Sequence, residues 1–507
     1  MIGISYCAAL SGFVATKVRV EVDISRGLPA FQLVGLPENS VKEARVRVRS
    51  AIINAGFEFP RGKIWVNLAP ADVQKNGTSF DLPIALAILQ SAGIIAKTKL
   101  QGIAAVGELS LTGEIKAVRG MLILSESIKE QGLNTLLVSE DNAQEASLIE
   151  GITIKVVRTL GEMVRAINAQ KLDELPNPRK SPINNVDHGA LDMADVVGQE
   201  EARRALLIAA AGNHNLLFIG GPGSGKSMMA HRLPTILPPL SYEESVTLTK
   251  IYSIAGHTIA GRLINQRPFR CPHHSTTKAG LTGGGSKSIR PGEISLACYG
   301  VLFLDELLEF PRTVLEVLRQ PLEEGQITLS RASMSATYPA EISLIGALNP
   351  CPCGNFGQGK LPCSCLPQSI ERYQSRLSGP LIDRIDLHVQ VPPLDLNLMT
   401  ADTSNESSRS MREKVVSARA LQKKRFGGDM TNGKMDRARV KEAANLTNAA
   451  LRFLITCGES LRISARSFDR IIRVARTIAD LDNSNDIHEH HIGEAFHYRP
   501  VKSLIKV

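Results

Sequence analysis

Residues 215–230 read NLLFIGGPGSGKSMMA, and this stretch decides the fold of the segment around it. The apolar run from Leu216 to Ile219 predicts a buried strand, and the pattern G-x-x-x-x-G-K-S follows it directly, before a helix. Glycines allow backbone N–H groups to turn inward around phosphates, the lysine reaches the β- and γ-phosphates, and the serine hydroxyl binds Mg²⁺. The stretch therefore predicts a P-loop that binds ATP and Mg²⁺. Its nucleotide-contacting residues are expected to be Gly220, Gly221, Pro222, Gly223, Ser224, Gly225, Lys226 and Ser227.

Two further apolar runs end in polar residues that complete this chemistry. VLFLDELLEF (301–310) ends its strand in Asp305 and Glu306. We expect Asp305 to hold Mg²⁺ together with Ser227, and Glu306 to polarise the attacking water, which makes the reaction a hydrolysis. EISLIGALNP (341–350) ends in Asn349, whose amide can orient that water. Asn349 could instead cap a strand end before a proline, but the order P-loop, acidic strand, amide strand favours the catalytic role.

Composition limits the classes of protein that fit. The chain has 507 residues, a formal net charge of +9 and a pI of about 9.1, a mild excess that favours nucleic acid over other acidic partners. No apolar run approaches the roughly 18 residues that span a bilayer. Four of the eight cysteines are scattered singly, as in a reducing compartment. We therefore expect a cytoplasmic protein without a membrane partner.

Changes of pattern along the chain predict the domains. Residues 17–25 alternate as in a half-buried strand, residues 39–55 have the spacing of an amphipathic helix, and α/β signals continue to residue 168. The segment 169–190 contains three prolines and no apolar period, which indicates a linker. Residues 191–396 form the α/β nucleotide domain, and residues 397–507 are mostly helical. The fold class is thus α/β with a helical C-terminal region.

A cluster of four cysteines lies in CPCGNFGQGKLPCSC (351–365). Two close thiol pairs joined by a short loop can supply four thiolates to one tetrahedral Zn²⁺, although C-x-C is tighter than the usual C-x2-C spacing. We favour structural zinc over four unliganded thiols, and both over a disulfide or a redox switch. The metal-binding candidates are Cys351, Cys353, Cys363 and Cys365.

Several long motifs together resemble one family, the ComM/YifB family of Mg-chelatase-like AAA+ ATPases. These motifs are GQEEARRALLIAAAGNHNLLFIGGPGSGKS (198–227), RPFRCPHH (267–274), GEISLACYGVLFLDELLEF (292–310), LRQPLEEG (318–325), NPCPCG (349–354) and SGPLIDRIDLHV (378–389). The resemblance covers nearly the whole chain. It implies a hexameric ring that hydrolyses ATP and drives DNA branch migration during homologous recombination of incoming DNA in natural transformation.

An ATPase ring also needs arginines at its nucleotide sites. One comes from a neighbouring subunit and stabilises transition-state charge, and one comes from the subunit's own lid and senses the phosphate. Arg384, before a predicted strand, fits the first role, and Arg466, at the start of a predicted helix, fits the second. An isolated arginine is more often a surface residue, so spacing alone would not justify these roles.

DNA contacts are expected where helicase relatives carry an insert that projects towards the ring's pore. The connection from Lys226 to Asp305 is longer than a minimal nucleotide fold needs, and it contains a Gly-, Ser- and Lys-rich loop at 273–293. Solvated surface charge is an equal alternative for any one of these positions. The proposed phosphate contacts, to single-stranded, duplex or branched DNA, are Lys278, Lys287 and Arg290 in this loop and Arg331 on the following hairpin, QITLSRASMSA (326–336).

The first domain resembles the Lon protease domain, of ribosomal-S5-domain-2-like fold, in PADVQKNGTSFDLPIALAIL (70–89) and GELSLTGEIKAVRGMLIL (107–124). Ser79 occupies the position of the nucleophile in that family. Leu122 stands where the lysine base would be, and a leucine cannot accept the serine proton. We therefore expect a domain without proteolytic activity.

Two regions of the C-terminal segment leave alternatives open. Between Met411 and Lys441 there are ten basic and three acidic residues, which fits either a DNA-binding surface or a solvated helix face. The histidines at 488, 490, 491 and 497 are interpreted as surface residues rather than metal ligands. The alternative function for the whole chain is a protein-remodelling or chelatase-like ATPase that acts on a protein partner.

Overall fold

The structure is a computed structural model that describes residues 2–178, 191–257, 262–285, 289–331, 334–357, 362–393 and 405–499. Three regions follow one another along the chain. They are a first α/β domain, a second α/β domain around the P-loop, and a helical C-terminal region.

The first domain is a seven-stranded mixed sheet with helices packed against it, in the order β3-β4-β2-β1-β5-β8-β9. Its main strands are β1 (Gly3–Ser11), β2 (Val14–Ser25), β3 (Ala30–Val34), β4 (Lys63–Ala69), β5 (Ile103–Ala105), β8 (Thr135–Val138) and β9 (Thr153–Val156), and the two-residue strands β6 (Glu108–Leu109) and β7 (Ile115–Lys116) form a separate hairpin. Its helices are α1 (Asn39–Lys42), α2 (Ala44–Asn54), α3 (Asp81–Ser91), α4 (Met121–Glu130), α5 (Glu140–Ala146) and α6 (Leu160–Ala169).

The patterns that predicted this domain are present, with one break. The alternating strand at 17–25 lies inside β2, whose inward residues Val18, Val20 and Val22 are fully buried. The helix predicted at 39–55 is interrupted at Glu43 and becomes α1 and α2. The chain still packs on this domain beyond residue 168, because Leu175 is buried in its core and the Val156 N–H donates to the Pro176 carbonyl. Most of the predicted linker, 179–190, lies outside the described residues.

The second domain is built on a five-stranded parallel sheet in the order β11-β14-β17-β10-β18. Its strands are β10 (Leu216–Ile219), β11 (Phe269–Arg270), β14 (Val301–Leu304), β17 (Ser343–Leu348) and β18 (Leu387–Gln390), and the hairpin strands outside the sheet are β12 (Gly283–Gly284), β13 (Arg290–Pro291), β15 (Gln326–Arg331) and β16 (Met334–Pro339). Its helices are α7 (Glu200–Gly212), α8 (Lys226–Ile236), α9 (Tyr242–Ala255), α10 (Lys278–Thr282), α11 (Glu293–Leu296), α12 (Arg312–Leu315), α13 (Arg319–Glu324), α14 (Pro367–Gln374) and α15 (Gly379–Ile382).

Both faces of the parallel sheet are covered, which explains why its strands are continuous apolar runs. Successive side chains of a strand point to opposite faces. Leu216 and Phe218 of β10 therefore join the core beneath the C-terminal helices, whereas Leu217 and Ile219 join the core on the other face. Because all five strands are parallel, the residues that follow β10, β14 and β17 meet at one edge.

In the part of it that the structure describes, the C-terminal region has five helices. The helix Ser408–Phe426 packs on α7 and α8, the helix Ala465–Leu481 packs on α7, and the region shares its core with β10. The five helices are α16 (Ser408–Phe426), α17 (Arg437–Ala443), α18 (Asn448–Ser460), α19 (Ala465–Leu481) and α20 (Glu489–His497). The first domain contacts the second through a small apolar cluster of Ile123, Ile254, Ile289, Ala336 and Tyr338. Within the described residues, no helix combines the length and the apolar character needed to cross a bilayer.

Candidate functional site

The P-loop connects β10 to α8 and requires glycine at several positions. Gly223 and Gly225 have φ values of 73° and 89°, in the left-handed region that other residues avoid. At Gly220 the restriction is steric, because a Cβ there would lie 2.3 Å from the Val391 carbonyl oxygen. The loop can therefore wrap closely around a ligand at the N-terminus of α8, where free backbone N–H groups attract phosphate.

Lys226 begins α8 and is 8 % exposed. Its Nζ donates to the carbonyl oxygens of Gly220 and Gly221, both at 2.7 Å, and lies 3.3 Å from Asn349 Oδ1. Burial lowers the pKa of Lys226, and the nearby negative charge of Asp305 opposes that effect. The ammonium group is thus held inside the loop that would surround the phosphates.

Ser227 and Asp305 form an oxygen pair suited to Mg²⁺. The Ser227 hydroxyl donates to Asp305 Oδ2 at 2.6 Å across the gap between α8 and β14. A second interaction fixes the carboxylate, since the Glu306 N–H donates to Asp305 Oδ1 at 2.9 Å. A hydroxyl and a carboxylate oxygen are hard ligands of the kind that Mg²⁺ prefers, so these side chains fit that ion.

Glu306 has a strained backbone and an exposed carboxylate. Its φ of 49° and ψ of 47° place a non-glycine residue in the left-handed region, a conformation that costs about 1–3 kcal/mol and concentrates at functional sites. Its side chain is 57 % exposed, and Oε2 lies 3.4 Å from Nδ1 of His274. Sequence reasoning missed His274 as a site residue, although it lies in the motif RPFRCPHH.

These residues surround one cavity of about 400 Å³ at the carboxyl edge of the sheet. The strand order brings Asn349, after β17, between the P-loop and the acidic pair. The lining residues are Pro222, Gly223, Ser224, Gly225, Lys226, Ser227, Met228, Asp305, Glu306, Ala347, Leu348 and Asn349. Residues predicted separately from three motifs therefore lie together.

Arg384 and Arg466 lie elsewhere on the chain, in a second cavity of about 310 Å³. Arg384 forms an ion pair with Glu323 and also donates to the Pro380 carbonyl oxygen at 2.5 Å. The Arg384 hydrogen bond and the charges of Arg384 and Arg466 hold the pKa of Glu323 below its usual value. Neither arginine is among the residues that line the P-loop cavity.

The structure describes two of the four predicted DNA contacts in full. Lys278, at the start of α10, and Arg290, in β13, are exposed. Arg331 is the last residue of β15, and its side chain lies outside the described part of the structure. Lys287 lies outside the described residues altogether. Arg290 also lines a cavity of about 480 Å³ between the two α/β domains.

The protease-like position of the first domain borders that same cavity. Ser79 is 8 % exposed and is one of its lining residues. Leu122 is fully buried in α4, and its N–H donates to Glu145 Oε1 at 2.8 Å. The side chain at position 122 therefore packs in the interior and offers no base.

Seven of the ten basic residues of the segment 411–441 are exposed, whereas Arg419 and Arg425 bind within the fold. Arg419 donates to the Ala210 carbonyl oxygen at 2.7 Å, and burial lowers its pKa to about 9. Arg425 pairs with the buried Asp480 at 2.5 Å. Arg419 and Arg425 are therefore not available to phosphates, and the exposed residues fit either a DNA-binding surface or a solvated helix face.

The surface interpretation of the four histidines is wrong for one of them. His491 is 1 % exposed, and its Nδ1 accepts from the His488 N–H at 2.9 Å at the start of α20. Burial, followed by the charge of His490, lowers the pKa of His491 to about 4. This residue is therefore a neutral helix cap in the interior.

The fold and the site define a P-loop protein of the AAA+ class. The strand order places the P-loop, the acidic pair and Asn349 at one edge of a parallel sheet, and a helical region follows. Comparison with known sequences agrees. The family "Magnesium chelatase, subunit ChlI" matches residues 192–399, "Subunit ChlI of Mg-chelatase" matches 20–142, and "Magnesium chelatase, subunit ChlI C-terminal" matches 405–499.

Full-length relatives narrow the assignment. The chain is 41 % identical to the competence protein ComM of Haemophilus influenzae over 100 % of this chain and 99 % of that protein. It is also 41 % identical to YifB of Escherichia coli, over 99 % of this chain and 98 % of that protein. A weaker similarity, 23 % over 62 % of this chain and 37 % of the other, relates it to the DNA replication licensing factor Mcm6 of Drosophila melanogaster.

The chain belongs to the ComM/YifB family of Mg-chelatase-like AAA+ proteins. Both the resemblance noted in the sequence and the predicted AAA+ fold with a helical C-terminal region are thereby confirmed. The assignment indicates ATPase activity that depends on Mg²⁺.

Proposed function

We propose that the protein is an ATP-hydrolysing, hexameric DNA motor that promotes branch migration during homologous recombination of incoming DNA in natural transformation. The observation that carries the ATPase part is the single cavity that holds Lys226, the Ser227–Asp305 pair, Glu306 and Asn349. The DNA part is supported by relatives named as a competence protein and as a DNA replication licensing factor. Eight cysteines without a disulfide fit the reducing cytoplasm, where we place this activity.

In this proposal each polar residue of the cavity has one task. The backbone N–H groups of the P-loop and the ammonium of Lys226 bind the β- and γ-phosphates. Glu306 accepts a proton from the attacking water, and Asn349 orients that water towards the γ-phosphorus. The water oxygen bonds to the γ-phosphorus as the bond to the β,γ-bridging oxygen breaks, which yields ADP and phosphate. Ser227 and Asp305 hold Mg²⁺, which supplies positive charge to the phosphate oxygens when it is bound.

The two arginines act between subunits of the hexamer. Arg384 and Arg466 share a cavity that is distinct from the P-loop cavity of their own chain. We therefore propose that both face the nucleotide of a neighbouring subunit and stabilise charge that develops on the γ-phosphate. This changes the role predicted for Arg466 from the sequence, which was to sense the phosphate of its own subunit. This arrangement makes each nucleotide site depend on two chains.

In this proposal, DNA binds on α10 and on the hairpins of the second domain. Lys278 and Arg290 are exposed and carry unit positive charge, which suits phosphate contacts without base recognition. Lys287 belongs to the same loop, 273–293, and Arg331 ends β15 in the following hairpin; these two residues complete the proposed contacts. Single-stranded, duplex and branched DNA share the phosphate backbone that these residues would bind.

A second candidate is a protein-remodelling or chelatase-like ATPase that acts on a protein partner. The match of all three chain segments to magnesium chelatase subunit ChlI favours it. Proteolysis is not part of either proposal, because the buried Leu122 cannot serve as a base for Ser79.

The test is an ATP-dependent strand-exchange assay on a labelled synthetic junction, run beside ATP turnover with and without DNA. The proposal expects strand exchange by the wild type, none by Glu306→Gln, and turnover that DNA stimulates. Mass measurement in the presence of nucleotide and DNA should give six chains. Turnover that is indifferent to every form of DNA, together with a co-purified protein partner, would instead support the second candidate.

A further inference from the structure

The four cysteines of the segment 351–365 converge in the fold. All four sulfur atoms lie within 4.8 Å of one another. The Sγ–Sγ distances are 3.4 Å for Cys351–Cys353, 3.7 Å for Cys351–Cys363 and 3.6 Å for Cys353–Cys363. Four sulfurs at about 2.3 Å from one Zn²⁺ would stand roughly 3.8 Å apart, whereas a disulfide requires about 2.0 Å. The arrangement therefore has the dimensions of a tetrathiolate metal site and not of a disulfide pair.

Hydrogen bonds within the cysteine segment and next to it hold these thiols in place. Cys351 is fully buried and follows Asn349 and Pro350 at the end of β17. Its sulfur accepts the N–H of Phe356 at 3.4 Å, a bond that stabilises a thiolate. Gln374, at the end of α14, donates to the Pro350 carbonyl oxygen at 2.8 Å. The cluster thus closes the connection between β17 and α14.

The same loop lies directly against the P-loop. Gly354 has a φ of 81°, and a Cβ built on it would come within 2.5 Å of Pro222 Cδ and 3.6 Å of Pro222 N. Pro222 is one of the residues that line the nucleotide cavity. The cysteine loop therefore supports that cavity at two points, through Gly354 on the P-loop and through the chain continuity between Cys351 and Asn349.

We propose that Cys351, Cys353, Cys363 and Cys365 bind one Zn²⁺ and that the metal-bound loop braces the P-loop, so that nucleotide affinity depends on zinc. On binding, the four sulfurs coordinate the ion as thiolates, and the displaced thiol protons pass to solvent. No electron transfer is involved. The zinc site stands by itself, and only its coupling to nucleotide binding rests on the proposed function.

Metal content tests whether the four cysteines bind zinc. We expect one zinc per chain in full-length protein purified under reducing conditions, measured by elemental analysis, and loss of that zinc in Cys363→Ser. Cys457→Ser is the matched control, because Cys457 is a half-buried single cysteine on α18, and it should keep one zinc per chain. Wild-type protein that contains no zinc and takes up none when Zn²⁺ is added would overturn the site.

ADP binding, measured by calorimetry without DNA, tests whether nucleotide affinity depends on the zinc site. Cys363→Ser should bind ADP on the order of tenfold more weakly than the wild type, a typical coupling between two sites. Gly354→Ala should also weaken ADP binding but should keep its zinc, because its Cβ meets Pro222 and not the metal. Gly427→Ala is the control for backbone strain, since its φ is 68° and its Cβ would meet nothing within 4 Å.

Wild-type ADP affinity in both Cys363→Ser and Gly354→Ala would overturn the brace even if zinc is present. These outcomes are separate from the proposed function. A protein that binds ADP and zinc but ignores DNA would contradict the motor proposal and leave the zinc brace standing.

Discussion

Glu306 has a left-handed backbone conformation that binding Mg²⁺ through Asp305 does not require. Its carboxylate oxygen Oε2 lies 3.4 Å from His274 Nδ1. Such backbone strain persists only where the surrounding structure enforces it, and here β14 on one side and the Leu307–Glu309 turn on the other fix the residue. Binding Mg²⁺ needs Asp305 and not this conformation, so the strain points to the step after binding.

Glu306→Gln should therefore separate hydrolysis from binding. The amide has nearly the same shape but cannot accept the proton of the attacking water, so kcat for ATP should fall by roughly 10²- to 10⁴-fold. The affinity for ADP should stay within about twofold, because Lys226 and the P-loop are unchanged. Turnover measured by phosphate release and affinity measured by calorimetry check both halves.

Glu309→Gln is the control for that variant. Glu309 lies in the same short segment and pairs with Arg376 at 3.2 Å, outside the nucleotide cavity. It should keep most of the turnover. Equal loss in the two glutamine variants would mean that the segment, and not the carboxylate of Glu306, matters.

At the residue scale, the sequence predicted the groups that lie within continuous motifs. Lys226, Ser227 and Asp305 follow from local patterns, since each stands next to an apolar strand. His274 could not be predicted in the same way, because its approach to Glu306 depends on the parallel pairing of β11 with β14. Contacts set by strand pairing between distant segments leave no local signal.

At the scale of single elements, β18 begins beside the cavity that contains Arg384 and Arg466, because Asp386 lines that cavity. Asp386, next to this strand, accepts from His214 Nδ1 at 3.1 Å, and the other ring nitrogen of His214 lies 2.8 Å from Thr477 Oγ1 on α19. Burial by itself would raise the pKa of Asp386. The His214 hydrogen bond and the charges of Arg473 and Arg470 outweigh burial and lower the pKa to about 2.

Asp386→Asn should accordingly destabilise the second domain. The ionised carboxylate is favoured in the folded state, so it stabilises the fold above its ordinary pKa of 3.8, and this contribution disappears as the pH falls towards 2. The shift corresponds to about 2 kcal/mol at neutral pH. Urea unfolding followed by circular dichroism should show this loss at pH 7, and the difference from the wild type should shrink below about pH 4.

The exposed Asp383 provides the comparison on the same segment. Asp383→Asn should change the free energy of unfolding by less than about 0.5 kcal/mol. If Asp386→Asn matches that small effect at pH 7, the buried carboxylate does not stabilise the connection between β18 and α19.

The hairpin of β12 and β13 supplies a prediction for DNA. Arg290→Ala removes one exposed charge, so binding to DNA should weaken for every sequence, and the slope of log K against log salt should fall by about 1. Fluorescence anisotropy with a labelled duplex at several salt concentrations measures both quantities. Arg61→Ala removes an 89 % exposed charge from the first domain and should leave the slope unchanged. An unchanged slope in Arg290→Ala would remove this hairpin from the DNA-binding surface.

Element prediction from sequence was most accurate where one face of an element is buried. The strand β2 was visible in the alternation of its residues. The basic segment 411–441 shows what composition alone cannot predict. Composition counts Arg419 and Arg425 as surface charge, but both are bound within the fold. Whether a charge is free depends on partners from distant parts of the chain.

At the scale of the whole molecule, the P-loop cavity and the cavity that contains Arg384 and Arg466 are separate within one chain. Transition-state charge on the γ-phosphate needs a cation beyond Lys226, and the arginines best suited to that role line a separate cavity. Glu323 forms an ion pair with Arg384 and keeps this arginine oriented. The side chain of Arg384 is 13 % exposed. An assembly in which the arginine cavity of one chain meets the P-loop cavity of the next would complete the site.

Mixing experiments test this arrangement directly. Arg384→Ala alone should lower ATP turnover by roughly 10³- to 10⁵-fold while ADP still binds, and Lys226→Ala alone should not bind ADP. An equimolar mixture should regain activity, because a Lys226→Ala subunit can offer its intact Arg384 to the intact P-loop of an Arg384→Ala neighbour. Arg372→Ala, which removes an exposed arginine at the end of α14, should keep wild-type turnover. A mixture as inactive as its components, in an assembly shown to exchange subunits, would place the action of Arg384 within its own chain and contradict a shared site.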